Sequence, residues 1–210
     1  MVAVVHTMKM HSSVIYSSVV FQDLLIIMLM IVDLNGLDLQ AANIKNAYLT
    51  APCCDKIWTR SGPEFGINEV KVYTVVRASC CLKSSGAGFR AFLAEILDEM
   101  GFKSSVIDPG VWYREAMKSN HEEYYEYILV YMDDLLAISL DAQSIILEVV
   151  EKLKLKKDNI DPPGVYLGGR LDNKSLNEHE ICTMSSVDYV KVIINNINVR
   201  LKKEVIKLPS

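Results

Sequence analysis

Two adjacent aspartates, Asp133 and Asp134, interrupt an otherwise almost wholly apolar run at residues 128–138. Burying an ionised carboxylate without a partner is costly, so this pair requires compensation. A divalent cation would provide it, because Mg²⁺ prefers carboxylate oxygens and can also bridge phosphates. The alternative is a plain hairpin whose two aspartates form a solvated turn, since Asp is common in turns. The local pattern leaves both interpretations open.

The sequence Tyr-Met-Asp-Asp at residues 131–134 resembles the YxDD element of reverse transcriptases. Further segments resemble copia-type retrotransposon sequences and occur in the same order. They are Asn-Ala-Tyr-Leu-Thr-Ala-Pro-Cys at 46–53, Lys-Ile-Trp-Thr at 56–59, Gly-Pro-Glu-Phe-Gly at 62–66, Leu-Lys-Ser-Ser-Gly-Ala at 82–87, Asp-Pro at 108–109 and Tyr-Leu-Gly at 166–168. The resemblance spans about residues 10–209. It identifies the chain as similar to the fingers-and-palm part of a copia-type reverse transcriptase.

This resemblance implies nucleotidyl transfer with two Mg²⁺ ions held by three aspartates. Two of them correspond to Asp133 and Asp134. At the third catalytic position the family usually has Asp, whereas this chain has Asn43, in the segment Asn-Ile-Lys-Asn-Ala-Tyr-Leu. Asparagine keeps one oxygen but lacks the negative charge, so we expect weakened metal binding and impaired catalysis. The alternative is a degenerate, non-catalytic remnant with at most weak nucleic-acid binding.

The same resemblance implies contacts with an RNA or DNA template, a primer and deoxynucleoside triphosphates. Tyr48 matches the residue whose ring excludes a 2′-hydroxyl; the alternative is a half-buried aromatic. Lys83 and Arg90 would line the template and nucleotide side, and the alternative is a pair of solvated helix-end charges. Tyr131 would lie near the primer end, unless it is an ordinary strand aromatic. Cys80 and Cys81 stand where the family has an aromatic residue and a glycine, a further sign of degeneration.

Two apolar strands at residues 124–131 and 135–139 are predicted to form the hairpin that positions the aspartates. Other predicted elements are a helix at 17–35 capped by Ser17 or Ser18, a strand at 37–44, a helix at 85–100 stopped by Gly101, a single strand at 165–171 and a helix at 185–203. Strands and helices mix without strict βαβ alternation, which favours an α+β fold. With the resemblance, this predicts fingers and an antiparallel palm sheet with packed helices, without a thumb or later Pol polyprotein domains.

The predicted organisation has three parts: residues 1–36 as an N-terminal helical part, 37–175 as the palm with fingers insertions and the hairpin at 124–139, and 176–210 as a helical extension toward the thumb. Residues 24–32 form an apolar run of nine residues. This is about half of the ~18–20 residues that cross a bilayer, so we expect a buried helix and no membrane span.

Composition supports a globular protein of 210 residues, half of them apolar and 23% charged. The formal net charge of -4 argues against a uniformly basic nucleic-acid binder, although a local basic groove remains compatible with it. The five cysteines contain no Cys-x-x-Cys spacing, which disfavours a zinc site and fits reduced thiols. The chain also lacks a secretory pattern. We therefore expect an intracellular protein, cytoplasmic or nuclear and not secreted.

Overall fold

The fold combines helices with antiparallel sheets, in agreement with the α+β class. A computed structural model describes residues 19–53, 55–79, 82–153, 165–167, 169–176 and 179–203. Its helices are α1 (Gln22–Asn35), α2 (Ala47–Thr50), α3 (Ser85–Glu99), α4 (Ala142–Lys152) and α5 (Val187–Lys203). Its strands are β1 (Asp38–Asn43), β2 (Trp58–Arg60), β3 (Val72–Thr74), β4 (Lys103–Ser104), β5 (Val111–Met117), β6 (Glu123–Tyr131), β7 (Asp134–Ser139), β8 (Val165–Tyr166), β9 (Gly169–Leu176) and β10 (His179–Ser185).

A five-stranded antiparallel sheet of order β1-β7-β6-β5-β4 forms the centre of the molecule. Two smaller sheets accompany it, one pairing β2 with β3 and the other ordered β10-β9-β8. The β6–β7 hairpin occupies the middle of the large sheet, and β1 flanks β7 at its edge. The sheet therefore brings the end of β1 next to the start of β7.

Both faces of the central hairpin are covered, which explains why residues 128–130 of β6 and 135–138 of β7 are all apolar. Leu135 and Ala137 of β7 belong to a core with α3 and α4, whereas Leu136 and Ile138 belong to a second core with α1. Successive strand side chains point to opposite faces, so a strand buried on both sides lacks apolar–polar alternation. Helix α3 contributes the apolar positions that its spacing predicts, and Gly101 follows it at φ 85°. That glycine confirms the predicted helix stop.

Helix α1 begins later than its sequence predicts. Phe21, not Ser17 or Ser18, is the N-cap residue; both serines lie outside the described residues. The Phe21 N–H donates to Asp108 Oδ2 at 2.9 Å, and the Val20 N–H donates to the Val130 carbonyl at 3.3 Å. These contacts hold the chain extended against the five-stranded sheet, so the helix starts only after them. Its predicted end is confirmed by Gly36 at φ 59°.

Helix α1 is also less buried than predicted. Leu25, Met28 and Val32 face the core, but the opposite side is exposed: Ile26 by 55%, Met30 by 58% and Leu34 by 81%. The wholly apolar run at 24–32 gives no periodicity from which to predict a single buried face. Within the described parts of the chain, no helix is long and apolar enough to cross a membrane.

The single strand predicted at 165–171 is wrong, because the chain reverses within it. Leu167 has φ 53°, a left-handed conformation that turns β8 back onto β9. A second hairpin pairs β9 with β10, and the predicted boundary between 175 and 176 falls inside it. The segment predicted as a helical extension therefore contains β10 as well as α5. Helix α5 is exposed along 187–200.

Candidate active site

The aspartate pair lies at the tip of the β6–β7 hairpin. Tyr131 and Asp134 form the last cross-strand pair, and Met132 and Asp133 make the two-residue turn. Met132 has φ 54°, and the tight turns that suit twisted hairpins place a residue with positive φ at this first turn position. Asp134 thus begins β7, one residue before the predicted start of that strand at residue 135. The turn leaves both aspartates half-buried at one end of the sheet.

The edge strand β1 brings Asn43 directly to this end. Asn43 is the register partner of Asp134, although 91 positions separate them in the sequence. The Asn43 amide donates from Nδ2 to Asp134 Oδ1 at 2.6 Å. The next backbone N–H, of Ile44, donates to the Asp133 carbonyl at 2.9 Å. The three positions expected to form a site therefore converge.

The site differs from a three-carboxylate metal centre in both charge and hydrogen bonding. Position 43 supplies a neutral amide. That amide donates a hydrogen bond to Asp134 Oδ1, an oxygen that would otherwise be available to a metal ion. The described residues contain no group of three or more Asp, Glu, His or Cys side chains that could hold a metal. The residues present do not fit a centre of two ions bridged by three carboxylates.

Tyr166 is a buried neighbour of the site that the sequence analysis did not single out as functional. Its ring is fully buried on β8, and its hydroxyl has no hydrogen-bond partner among the described residues. Burial raises the pKa of this phenol far above its usual value, and the negative charge of Asp134 raises it further. Tyr166 therefore stays neutral. The Tyr-Leu-Gly segment was a signal for this position, but sequence spacing does not reveal burial beneath β1 and β7.

Tyr48 lies on α2, just after β1, and packs against the core that contains α3 and α4. A turn with Asn46 at φ 57° leads from β1 into this short helix, a backbone region that Asn tolerates. The Tyr48 ring meets Phe89 of α3 edge-on, with 6.0 Å between ring centroids. Tyr48 as a whole is half-buried.

The other residues predicted to contact substrate, Arg90, Lys83 and Tyr131, lie in different parts of the fold. Arg90 donates from Nη2 to the Pro109 carbonyl at 2.8 Å, which ties α3 to the loop before β5. Lys83 is exposed immediately before the N-cap of α3. Tyr131 is half-buried and packs against the core beneath α1. Cys80 and Cys81 lie outside the described residues.

Positive side chains collect in the segment from 45 to 83, which precedes α3. Three acidic residues lie in the same segment, so it is net positive although the whole chain is net negative. The exposed basic residues of the segment are Lys45, Lys56, Arg60, Lys71, Arg77 and Lys83. Local positive charge of this kind is what attracts a phosphate backbone.

Comparison with known proteins agrees with this architecture. A family model described as reverse transcriptase (RNA-dependent DNA polymerase) matches residues 3–207, nearly the whole chain. No curated protein and no solved structure gives a significant match. The matched segment includes β1, the β6–β7 hairpin and the helices that pack on them. The chain therefore belongs to the reverse transcriptase (RNA-dependent DNA polymerase) family.

Proposed function

We propose that this chain is the fingers-and-palm part of an RNA-directed DNA polymerase from a copia-type retrotransposon, and that Asn43 impairs its nucleotidyl transfer. The observation that supports the impairment is the 2.6 Å contact between Asn43 Nδ2 and Asp134 Oδ1. It puts the substituted position against one of the two remaining carboxylates. The copia-type assignment rests on the sequence segments at 46–53, 62–66 and 131–134.

Asp133 and Asp134 are the residues that would bind a divalent cation such as Mg²⁺. Replacing the third carboxylate by an amide removes a negative charge that would attract the cation. Charge that develops on the reacting phosphate is then less well neutralised. A loss of about 4 kcal/mol of transition-state stabilisation lowers the rate roughly a thousandfold.

The expected partners are an RNA or DNA template, a primer and deoxynucleoside triphosphates. The exposed basic residues at 45–83 support contacts with phosphates. The same basic segment also favours the second candidate function, a catalytically inert remnant that binds nucleic acid weakly. Activity and binding must therefore be measured separately.

The test is primer extension in Mg²⁺ by the unmodified chain and by Asn43→Asp, with template–primer binding measured by fluorescence anisotropy at a fixed salt concentration. We expect the unmodified chain to be about a thousandfold slower than an otherwise matched protein with Asp at position 43. Asn43→Asp recovers activity only if the region of Cys80 and Cys81 still permits template binding, which the anisotropy measurement reports.

Asp133→Ala is the matched control, because it removes a proposed ligand. Robust Mg²⁺-dependent DNA synthesis by the unmodified chain, abolished by Asp133→Ala, would show that catalysis tolerates Asn43. The proposal that Asn43 impairs nucleotidyl transfer would then be wrong. Weak nucleic-acid binding without synthesis by any variant would favour the inert remnant.

A further inference from the structure

Asn43 and Asp134, here called the amide–carboxylate pair, form the last register pair of the β1–β7 ladder. The hydrogen bond from Asn43 Nδ2 joins their side chains, and the Ile44 N–H continues the backbone contact one residue further. Because Asp134 also pairs with Tyr131 of β6, it lies between two strands. The pair therefore joins the edge strand to the hairpin at the end of the sheet.

The surroundings of the amide–carboxylate pair screen its charge only weakly. Both members are half-buried, while Ala42, Leu135 and Tyr166 next to them are buried. Charges that are partly withdrawn from solvent are screened less than charges on the surface. A change of charge at position 43 is accordingly felt at Asp134.

Asparagine and aspartate have nearly the same shape, so Asn43→Asp changes the charge at this position and hardly changes its volume. In that variant an oxygen would replace the nitrogen that now lies 2.6 Å from Asp134 Oδ1. Two ionised carboxylates in contact repel each other unless a cation lies between them. The amide of Asn43 avoids this repulsion because it is neutral and donates a hydrogen bond to Asp134.

We propose that Asn43 makes the stability of this palm independent of a divalent cation, and that Asn43→Asp would make it depend on Mg²⁺. The inference rests on the proposed function for the identity of the cation, and on the amide–carboxylate pair for its location.

Thermal unfolding of the purified full chain tests the inference. In chelator, we expect Asn43→Asp to melt about 5 °C below the unmodified chain, a shift typical of a destabilised protein of this size. Added MgCl₂ should raise the melting temperature of Asn43→Asp relative to KCl of the same ionic strength. The melting temperature of the unmodified chain should be the same in both salts.

Two further variants separate charge from the lost hydrogen bond. Asn43→Ala removes the donor without adding charge, so it should melt lower than the unmodified chain with no recovery in MgCl₂. The double variant Asn43→Asp/Asp134→Asn reverses the pair and restores one amide beside one carboxylate. It should melt near the unmodified chain in chelator.

Three results would overturn the inference: equal melting of Asn43→Asp and the unmodified chain in chelator, an equal response of both to MgCl₂, or a double variant that melts as low as Asn43→Asp. If Asn43→Asp does not fold in chelator, its folding on addition of MgCl₂, beside an Asn43→Ala variant that gains nothing from the cation, still decides, because loss of the hydrogen bond alone predicts no response to Mg²⁺. The melting temperature is measured without any primer-extension assay, so the two tests are independent. Synthesis by the unmodified chain would refute the proposed impairment and leave the melting result unchanged.

Discussion

The two ends of the β6–β7 hairpin each hold a carboxylate, and the protein compensates the two in different ways. At the end away from the turn, Glu126 is buried and accepts from Arg114 Nε at 2.6 Å. Its second oxygen accepts from Ser139 Oγ at 2.6 Å and from the Tyr124 hydroxyl at 3.1 Å. At the turn, Asp134 Oδ1 accepts from the neutral amide of Asn43 at 2.6 Å.

Arg114 is itself held from several sides. It donates to the Met100 carbonyl at 2.8 Å, lies 3.5 Å from Glu148 and places its guanidinium carbon 4.5 Å from the centre of the Phe102 ring. Glu126 is thus a buried carboxylate that accepts hydrogen bonds from a cation and from hydroxyl groups, and its role is structural. A carboxylate in this sheet is stabilised by donors positioned around it: the guanidinium of Arg114 is one of them at the far end, and the amide of Asn43 is one of them at the turn end.

Arg114→Ala should have the largest effect on stability. Removing the cation leaves Glu126 buried without its charge partner, which costs about 3 kcal/mol of unfolding free energy. Urea denaturation measures this loss. Arg114→Lys is the matched variant: it keeps the charge but lacks the planar donor fork, so an intermediate loss is expected. A loss near zero in Arg114→Ala would show that the far end does not need its cation.

Hydroxyl removal at the two ends should have opposite consequences. Tyr166→Phe removes a hydroxyl without a partner among the described residues, so stability should be unchanged or rise by about 1 kcal/mol. Ser139→Ala removes a donor to buried Glu126 and should cost about 1–2 kcal/mol. Urea denaturation of both variants gives the comparison. A clear loss in Tyr166→Phe would mean that this hydroxyl has a stabilising partner, such as a bound water.

Alkaline pH offers a second measurement on Tyr166. Burial holds the folded pKa of this phenol well above its usual value, whereas the unfolded chain loses the proton near pH 10. The folded state then binds more protons than the unfolded state, so stability falls as pH rises above about 10. Tyr166→Phe should reduce the slope of that fall, as measured by urea denaturation over a pH series. An unchanged slope would contradict the burial of the phenol.

The smallest effect is expected from the ion pair between Lys152 and Glu99, which joins α4 to α3 with 3.2 Å between its atoms. Both side chains are more than a third exposed, so solvent screens the pair and Lys152→Ala should cost about 0.5 kcal/mol or less. This variant calibrates Arg114→Ala, because both remove a cation from an acidic partner. Equal losses of unfolding free energy in Lys152→Ala and Arg114→Ala would show that the buried pair stabilises the fold no more than the exposed pair does.

Much of the fold could be predicted from the sequence where local signals are strong. The apolar strands around the aspartate pair, the spacing of Phe89 and Leu93 on α3 and the glycine stops predict elements that the structure contains. Asn43 was identified as part of the site only through a resemblance, since its contact with Asp134 depends on strand pairing over a long sequence separation. Local spacing does not encode that register.

What the sequence analysis missed depends on tertiary contacts. The late start of α1 follows from hydrogen bonds of residues 20 and 21 to the palm, and the turn at Leu167 places an ordinary residue at positive φ. The compensation of Glu126 needs Arg114 from the neighbouring strand. A glutamate inside an apolar, aromatic strand was an available signal for a buried charge.

The pairing of β1 with β7 joins two strands that lie far apart in the sequence. Tyr131 and Asp134 meet across a two-residue turn, whereas Asn43 and Asp134 meet only after a loop of about ninety residues closes, and long-range closure is slow. During synthesis at ~5–20 residues per second, β1 leaves the ribosome roughly 5–20 s before its partner strand. The candidate site therefore forms only after the first-made strand of the five-stranded sheet has paired with the last.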